Sequence, residues 1–128
     1  MSPHILVVDD EEALLDMMAV ALEMMGYRAT CAASLADASQ LIQSHRFDLV
    51  LLDNHFPDGH GDSLVATLLK RWPGTNIVIV TANDTDIHVH RAIALGAREV
   101  LNKPFGLDQL GAVVARYCPA SGPQKCVA

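Results

Sequence analysis

Leu49-Val50-Leu51-Leu52-Asp53 sets four apolar residues directly before a carboxylate, and three other stretches of the chain end in the same way. Ile5-Leu6-Val7-Val8 runs into Asp9-Asp10, Ile77-Val78-Ile79-Val80 into Thr81, and Val100-Leu101-Asn102 into Lys103-Pro104. A continuous apolar run of this length reads as a strand buried on both faces, the signature of parallel strands sandwiched between helices. Polar groups at the C-terminal ends of such strands converge on one edge of the sheet.

The intervening segments supply the helices. Leu14, Met18, Leu22 and Met25 recur at helical spacing over Glu12 to Met25, with Gly26 as the stop. Tyr27 to Ala32 reads as a short strand, and Ser34 as the N-cap of a helix carrying Leu35, Ala38, Leu41 and Ile42. Phe56-Pro57-Asp58-Gly59-His60-Gly61 has loop chemistry before a helix with Leu64, Leu68 and Leu69, which Pro73-Gly74 closes. Asp84 or Asp86 can cap a fourth helix to about Leu95; Ile87, Ala92, Ile93 and Leu95 make no clean stripe, which predicts weak docking. A fifth strand, Glu99 to Asn102, precedes a helix with Leu107, Leu110, Val114 and Tyr117. Strict alternation with right-handed crossovers gives an α/β fold: a doubly wound five-stranded parallel sheet, order 2-1-3-4-5, flavodoxin-like. Asp9, Asp10, Asp53, Thr81 and Lys103 then surround the crevice at the switch point between strands 1 and 3.

The whole chain, 128 residues, fits one domain able to bury a core without staples. Its boundary is expected at residue 118, with 119–128, rich in Pro, Gly and Ser, as a flexible tail or the start of a linker. A net charge of −6, with nine scattered basic residues, leaves no electrostatic footprint for nucleic acid. No run approaches a membrane span, and Met1-Ser2-Pro3-His4-Ile5 lacks the basic region of a signal peptide, so a soluble, cytoplasmic protein is expected. Three cysteines without metal-type spacing suit a reducing compartment; Cys31 reads as a small core residue, Cys118 and Cys126 as exposed near the end.

Three carboxylates at one sheet edge repel one another by roughly 4 kcal/mol per pair at ~4 Å and an effective dielectric of 20, so positive charge must join them. Oxygen-only ligands favour a hard cation, and Mg²⁺ suits best because it keeps waters and is completed by phosphate. Lys103 lies too far along the strand order to ligate that cation, but suits the far side of a phosphoryl group. Thr81 adds a hydroxyl donor. Asp53, central among them, is the carboxylate placed to attack phosphorus.

Val7-Val8-Asp9-Asp10-Glu11, Leu51-Leu52-Asp53 with Pro57 and Gly61 after it, Thr81-Ala82, Gly96-Ala97 and Lys103-Pro104-Phe105 together resemble the receiver domain of two-component response regulators, from about Pro3 to Tyr117. The resemblance implies that Asp53 accepts phosphate from a histidine kinase or phosphotransfer protein, with a receiver that phosphorylates and dephosphorylates itself rather than acting as a conventional enzyme. It implies Mg²⁺ bound directly by Asp10 and Asp53, by Asp9 through water, and by the backbone carbonyl of His55. It also implies a cis Lys103-Pro104 bond, against the general preference of X-Pro for trans. Thr81 would swing toward the phosphate and switch the face made by the fourth helix, fifth strand and fifth helix, which would then engage an output domain, a target protein or a second copy in a homodimer.

His55 and Asn83 fall at positions that tune phosphoryl lifetime in such receivers, with His55 read as a spectator or water-ordering group. His88 and His90 point to different faces and read as surface residues; His4, His45 and His60 read as bland. One departure stands out: many receivers carry Tyr or Phe three residues before the lysine, and here that residue is Val100, with little rotameric freedom. A haloacid-dehalogenase-type phosphatase would want a second Asp where His55 stands. A flavodoxin-like cofactor binder would want an anion nest where Asp9-Asp10-Glu11-Glu12 stands. A receiver-shaped interaction module with weak or no phospho-switching is the alternative function.

Overall fold

The computed structural model describes residues 3–119. Twelve elements follow in order: β1 (His4–Val8), α1 (Glu12–Met24), β2 (Arg28–Ala32), α2 (Leu35–Ser44), β3 (Leu49–Asp53), β4 (His55–Phe56), β5 (Gly59–His60), α3 (Asp62–Arg71), β6 (Asn76–Thr81), α4 (Ile87–Leu95), β7 (Glu99–Asn102) and α5 (Leu107–Tyr117). Five strands form one sheet in the order β2-β1-β3-β6-β7, every pairing parallel, as the four apolar runs and the short second strand predict. The expected tail falls, from residue 120 onward, outside the described residues, as does Cys126.

Alternation along each central strand divides the core in two. Leu6, Val8, Val50, Leu52, Ile77 and Ile79 face α2, α3 and α4, whereas Ile5, Val7, Leu49, Leu51, Val78 and Val80 face α1 and α5. Both sets are buried, which is why the runs are unbroken rather than alternating. The same register brings the C-terminal ends of β1, β3 and β6 side by side: Val8 pairs with Leu52, and Asp53 with Val80.

Helix ends follow local chemistry. Ser34 Oγ accepts from the Asp37 N–H at 3.1 Å, and Asp86 caps α4 by accepting from the His88 N–H at 2.8 Å. Gly106 is capped by Gln109, whose Oε1 accepts from its N–H at 2.8 Å. The expected weak docking of α4 is visible, with Val89 and Ala92 buried but Ile87 67% exposed.

Three expectations need correction. The segment read as loop contains a two-residue antiparallel hairpin, β4–β5, in which His55 pairs with His60 and Phe56 with Gly59. Pro57-Asp58 makes its turn, and Gly59 takes a φ of +144°. Cys31 is exposed rather than core, because β2 is an edge strand with solvent beside it. Cys118 is buried rather than exposed: its carbonyl accepts from the Tyr27 hydroxyl at 2.6 Å, which ties the end of α5 to the start of β2.

Candidate functional site

Asp9 follows β1, Asp53 ends β3, Thr81 ends β6 and Lys103 follows β7, so four parallel strands deliver their polar termini to one rim. The carboxylates of Asp9, Asp10 and Asp53 each offer an oxygen, and these atoms lie within 4.8 Å of one another. Asp9 and Asp53 are buried while Asp10 is exposed, so the cluster opens to solvent on one side.

Lys103 answers the repulsion. Its Nζ donates to Asp9 Oδ2 at 2.8 Å and lies 3.4 Å from Asp53 Oδ2, so its ammonium crosses the rim to both buried acids. Burial pulls the lysine pKa down, but the hydrogen bond Lys103 donates to Asp9 and the charges of both aspartates outweigh it and hold the ammonium above its ordinary range. Asp53 shifts upward, first because burial penalises its charge and then because Asp9 repels it; Lys103 and the Asn54 N–H oppose the rise. That N–H donates to Asp53 Oδ1 at 2.7 Å, leaving Oδ2 toward Lys103. The Lys103–Pro104 bond is cis, as the receiver resemblance implies.

Thr81 is buried and bonded inside its own loop: Oγ1 donates to the Asn83 carbonyl at 3.3 Å and accepts from the Asn83 N–H at 3.1 Å. Gly61 is there for closeness, since a Cβ would stand 2.3 Å from the Asp53 carbonyl oxygen. Its N–H donates to the Asn54 carbonyl at 2.8 Å, closing the loop that follows β3. Three carboxylate oxygens beside one another, with an ammonium bridging two of them, fit a hard divalent cation; Asp10, exposed and without a hydrogen-bond partner among the described residues, is free to take it.

Several neighbours went unseen in the sequence. Asn54 is fully buried, and its Oδ1 has no hydrogen-bond partner among the described residues. The His55 side chain leaves the acid cluster and meets Asp86, Nε2 to Oδ2 at 3.1 Å. His60, read as bland, stacks on His88 with ring centroids 3.7 Å apart and planes 8° off parallel. His88, read as a surface residue, also contacts Asp62 through Nδ1 at 3.0 Å, and Asp62 is buried at the start of α3. Spacing could not reveal this, because the residues sit on three elements that only the fold brings together. His90 is exposed, as expected.

Known proteins are similar to this chain in sequence and fold. The chain is 38% identical over 113 residues to the alginate biosynthesis transcriptional regulatory protein AlgB of Pseudomonas putida, covering 88% of this chain and 25% of that protein. It therefore spans about a quarter of that relative's length. Among solved structures, a CheY-like response regulator receiver domain protein from Methanospirillum hungatei superposes with a TM-score of 0.87 at 28% identity, covering 91% of this chain and 93% of that one. A response regulator protein from Burkholderia pseudomallei, determined with a phosphorylated aspartic acid, calcium ion and citrate, gives 0.82 at 26% identity over 92% and 68%. A protein-family model, response regulator receiver domain, matches residues 5–115. With its parallel sheet, acid cluster and bridging lysine, the chain belongs to the response regulator receiver domain family of two-component signalling.

Proposed function

We propose that this receiver accepts a phosphoryl group on Asp53 from a histidine kinase or phosphotransfer protein, with Mg²⁺ held by Asp10, Asp53, the His55 backbone carbonyl and, through water, Asp9. The observation that carries the reading is the buried Asp53 carboxylate beside Asp9, with Lys103 bridging the two. A carboxylate oxygen of Asp53 attacks phosphorus, the phosphorus–nitrogen bond to the donor imidazole breaks, and the imidazole leaves with the electron pair. A cation held by these ligands would supply positive charge against the phosphoryl oxygens. Lys103 supplies more, and Thr81 exchanges its Asn83 partner for a phosphoryl oxygen. The phosphodonor is received beside an apolar groove lined by Leu14, Met17, Ala82, Pro104 and Phe105 next to Lys103.

The receiver unit spans 1–118, with 119–128 leading toward an output domain or serving as a tail. Relatives that are transcriptional regulators support a cytoplasmic signalling role, and no helix among the described residues is long and apolar enough to cross a membrane. Output then passes through α4, β7 and α5 to an attached domain, a target protein or a second copy. A receiver-shaped module that switches weakly is the second reading, favoured by Val100 on β7.

Incubation with acetyl phosphate and Mg²⁺, followed by intact-mass measurement, tests the first reading. The expected result is a base-labile adduct of one phosphoryl mass, absent from Asp53→Asn and absent without Mg²⁺. No adduct on the unaltered protein overturns it.

A further inference from the structure

Between the acceptor and α4 lies a cluster of side chains that the phosphoacceptor reading does not use. His55, directly after Asn54 whose N–H holds Asp53, places Nε2 3.1 Å from Asp86 Oδ2. The other oxygen of Asp86 caps α4 through the His88 N–H. Across the hairpin the His55 and His60 rings meet edge-on at 5.0 Å, and His60 stacks flat on His88. His88 is held in turn by Asp62, which Arg91 of α4 also approaches at 3.8 Å. Two separate routes thus join the acceptor loop to the first turn of α4: a hydrogen bond into its capping residue and a ring stack onto its second residue.

Resting on the phosphoacceptor reading, we propose that His55, His60 and His88, with Asp86 and Asp62, form a strap that transmits the state of Asp53 to α4. Two observations favour it over a path through β7. Val100 is β-branched and offers little movement. α4 is also the helix with the fewest buried side chains, Val89 and Ala92, which makes it the easiest of the five helices to displace. Changes at Asp53 shift the 54–61 loop, because the Asn54 N–H fastens it to the acceptor carboxylate and the Gly61 N–H closes it on the Asn54 carbonyl; the strap carries the shift into α4. His60 and His88 act here as positioning residues and touch no reacting atom.

Amide exchange of residues 87–95, with and without Mg²⁺ and beryllofluoride, tests the strap in the unaltered protein, His60→Ala/His88→Ala and His60→Phe. Intact-mass phosphorylation by acetyl phosphate is measured on the same samples. His60→Ala/His88→Ala is expected to form the Asp53 adduct while its α4 exchange response falls about fivefold, the equivalent of losing about 1 kcal/mol of coupling. His60→Phe keeps an aromatic face for the stack and is expected to retain the response, which separates transmission from simple loosening of α4. A full α4 response in the alanine variant, or one lost equally in His60→Phe, overturns the strap. An unaltered protein that takes no adduct overturns the phosphoacceptor reading and the strap together, so the two failures are distinct.

Discussion

At Asp53 the electrostatics of the resting site create a stability cost that can be measured. Burial, then Asp9, raise its carboxyl above the ordinary 3.8, so the folded protein holds that proton more tightly than the unfolded chain does. Its contribution to stability is therefore fully present below about pH 3.8 and is lost as pH rises through the folded value. Asp53→Asn keeps the shape without the charge, so in Mg²⁺-free buffer the variant melts above the parent at pH 7, and the gap closes as pH falls toward 3.8. Thermal melts across that range check it, and added Mg²⁺ narrows the gap at pH 7 by giving the parent's carboxylates a partner. Asp9, Asp10, Asp53, Thr81 and Lys103 were legible in the sequence because each ends an apolar run that could only be a strand. The reach of Lys103 to Asp9 was not, since strand order places the two on opposite sides of Asp53 and only the length of the side chain closes the gap.

Helices and strands were legible in proportion to how much local chemistry defines them. α2 is a clear case: Ser34 announces its start, and the structure adds a second clamp, with Asp58 Oδ2 accepting from the Ala36 N–H at 3.2 Å. Ser34→Ala removes one of these acceptors and is expected to cost about 1 kcal/mol, or about 4 °C of melting temperature. The Ser34 hydroxyl bonds to Asp37 and not to the acid cluster, so phosphorylation of Asp53 should keep its rate; a large fall in that rate would place α2 in the site. The β4–β5 hairpin was missed for the opposite reason. Two residues per strand give no periodicity, although Pro57-Asp58-Gly59 carries a turn signature that could have marked it. That omission hid the histidine cluster as well, since the hairpin is what carries His55 and His60 to α4.

Across the whole molecule, the doubly wound sheet brings distant segments together, and the cysteines show how. Sequence position alone suggested that a cysteine near the end would be open and one in an apolar run closed; topology reverses both. β2 lies at the edge of the sheet and leaves Cys31 exposed, whereas α5 packs back across β1 and β3 and buries Cys118 to 3% exposure. Burial pushes the Cys118 thiol up to about 11, so it is both shielded and protonated at neutral pH. Its carbonyl accepts from the Tyr27 hydroxyl across 91 residues of chain, a buried bond that fastens the last helix to the second strand. Native protein treated with a thiol reagent and mapped by peptide mass should therefore be labelled at Cys31 and protected at Cys118. Tyr27→Phe leaves the Cys118 carbonyl without that donor, at a net cost of about 1 kcal/mol, so Cys118 labelling should quicken about fivefold. Cys31 labelling should not change, because the edge strand owes its exposure to sheet order rather than to the α5 anchor. Equal labelling of both cysteines in the unaltered protein would mean that α5 does not stay packed, and the proposed output face of α4, β7 and α5 would lose one of its walls.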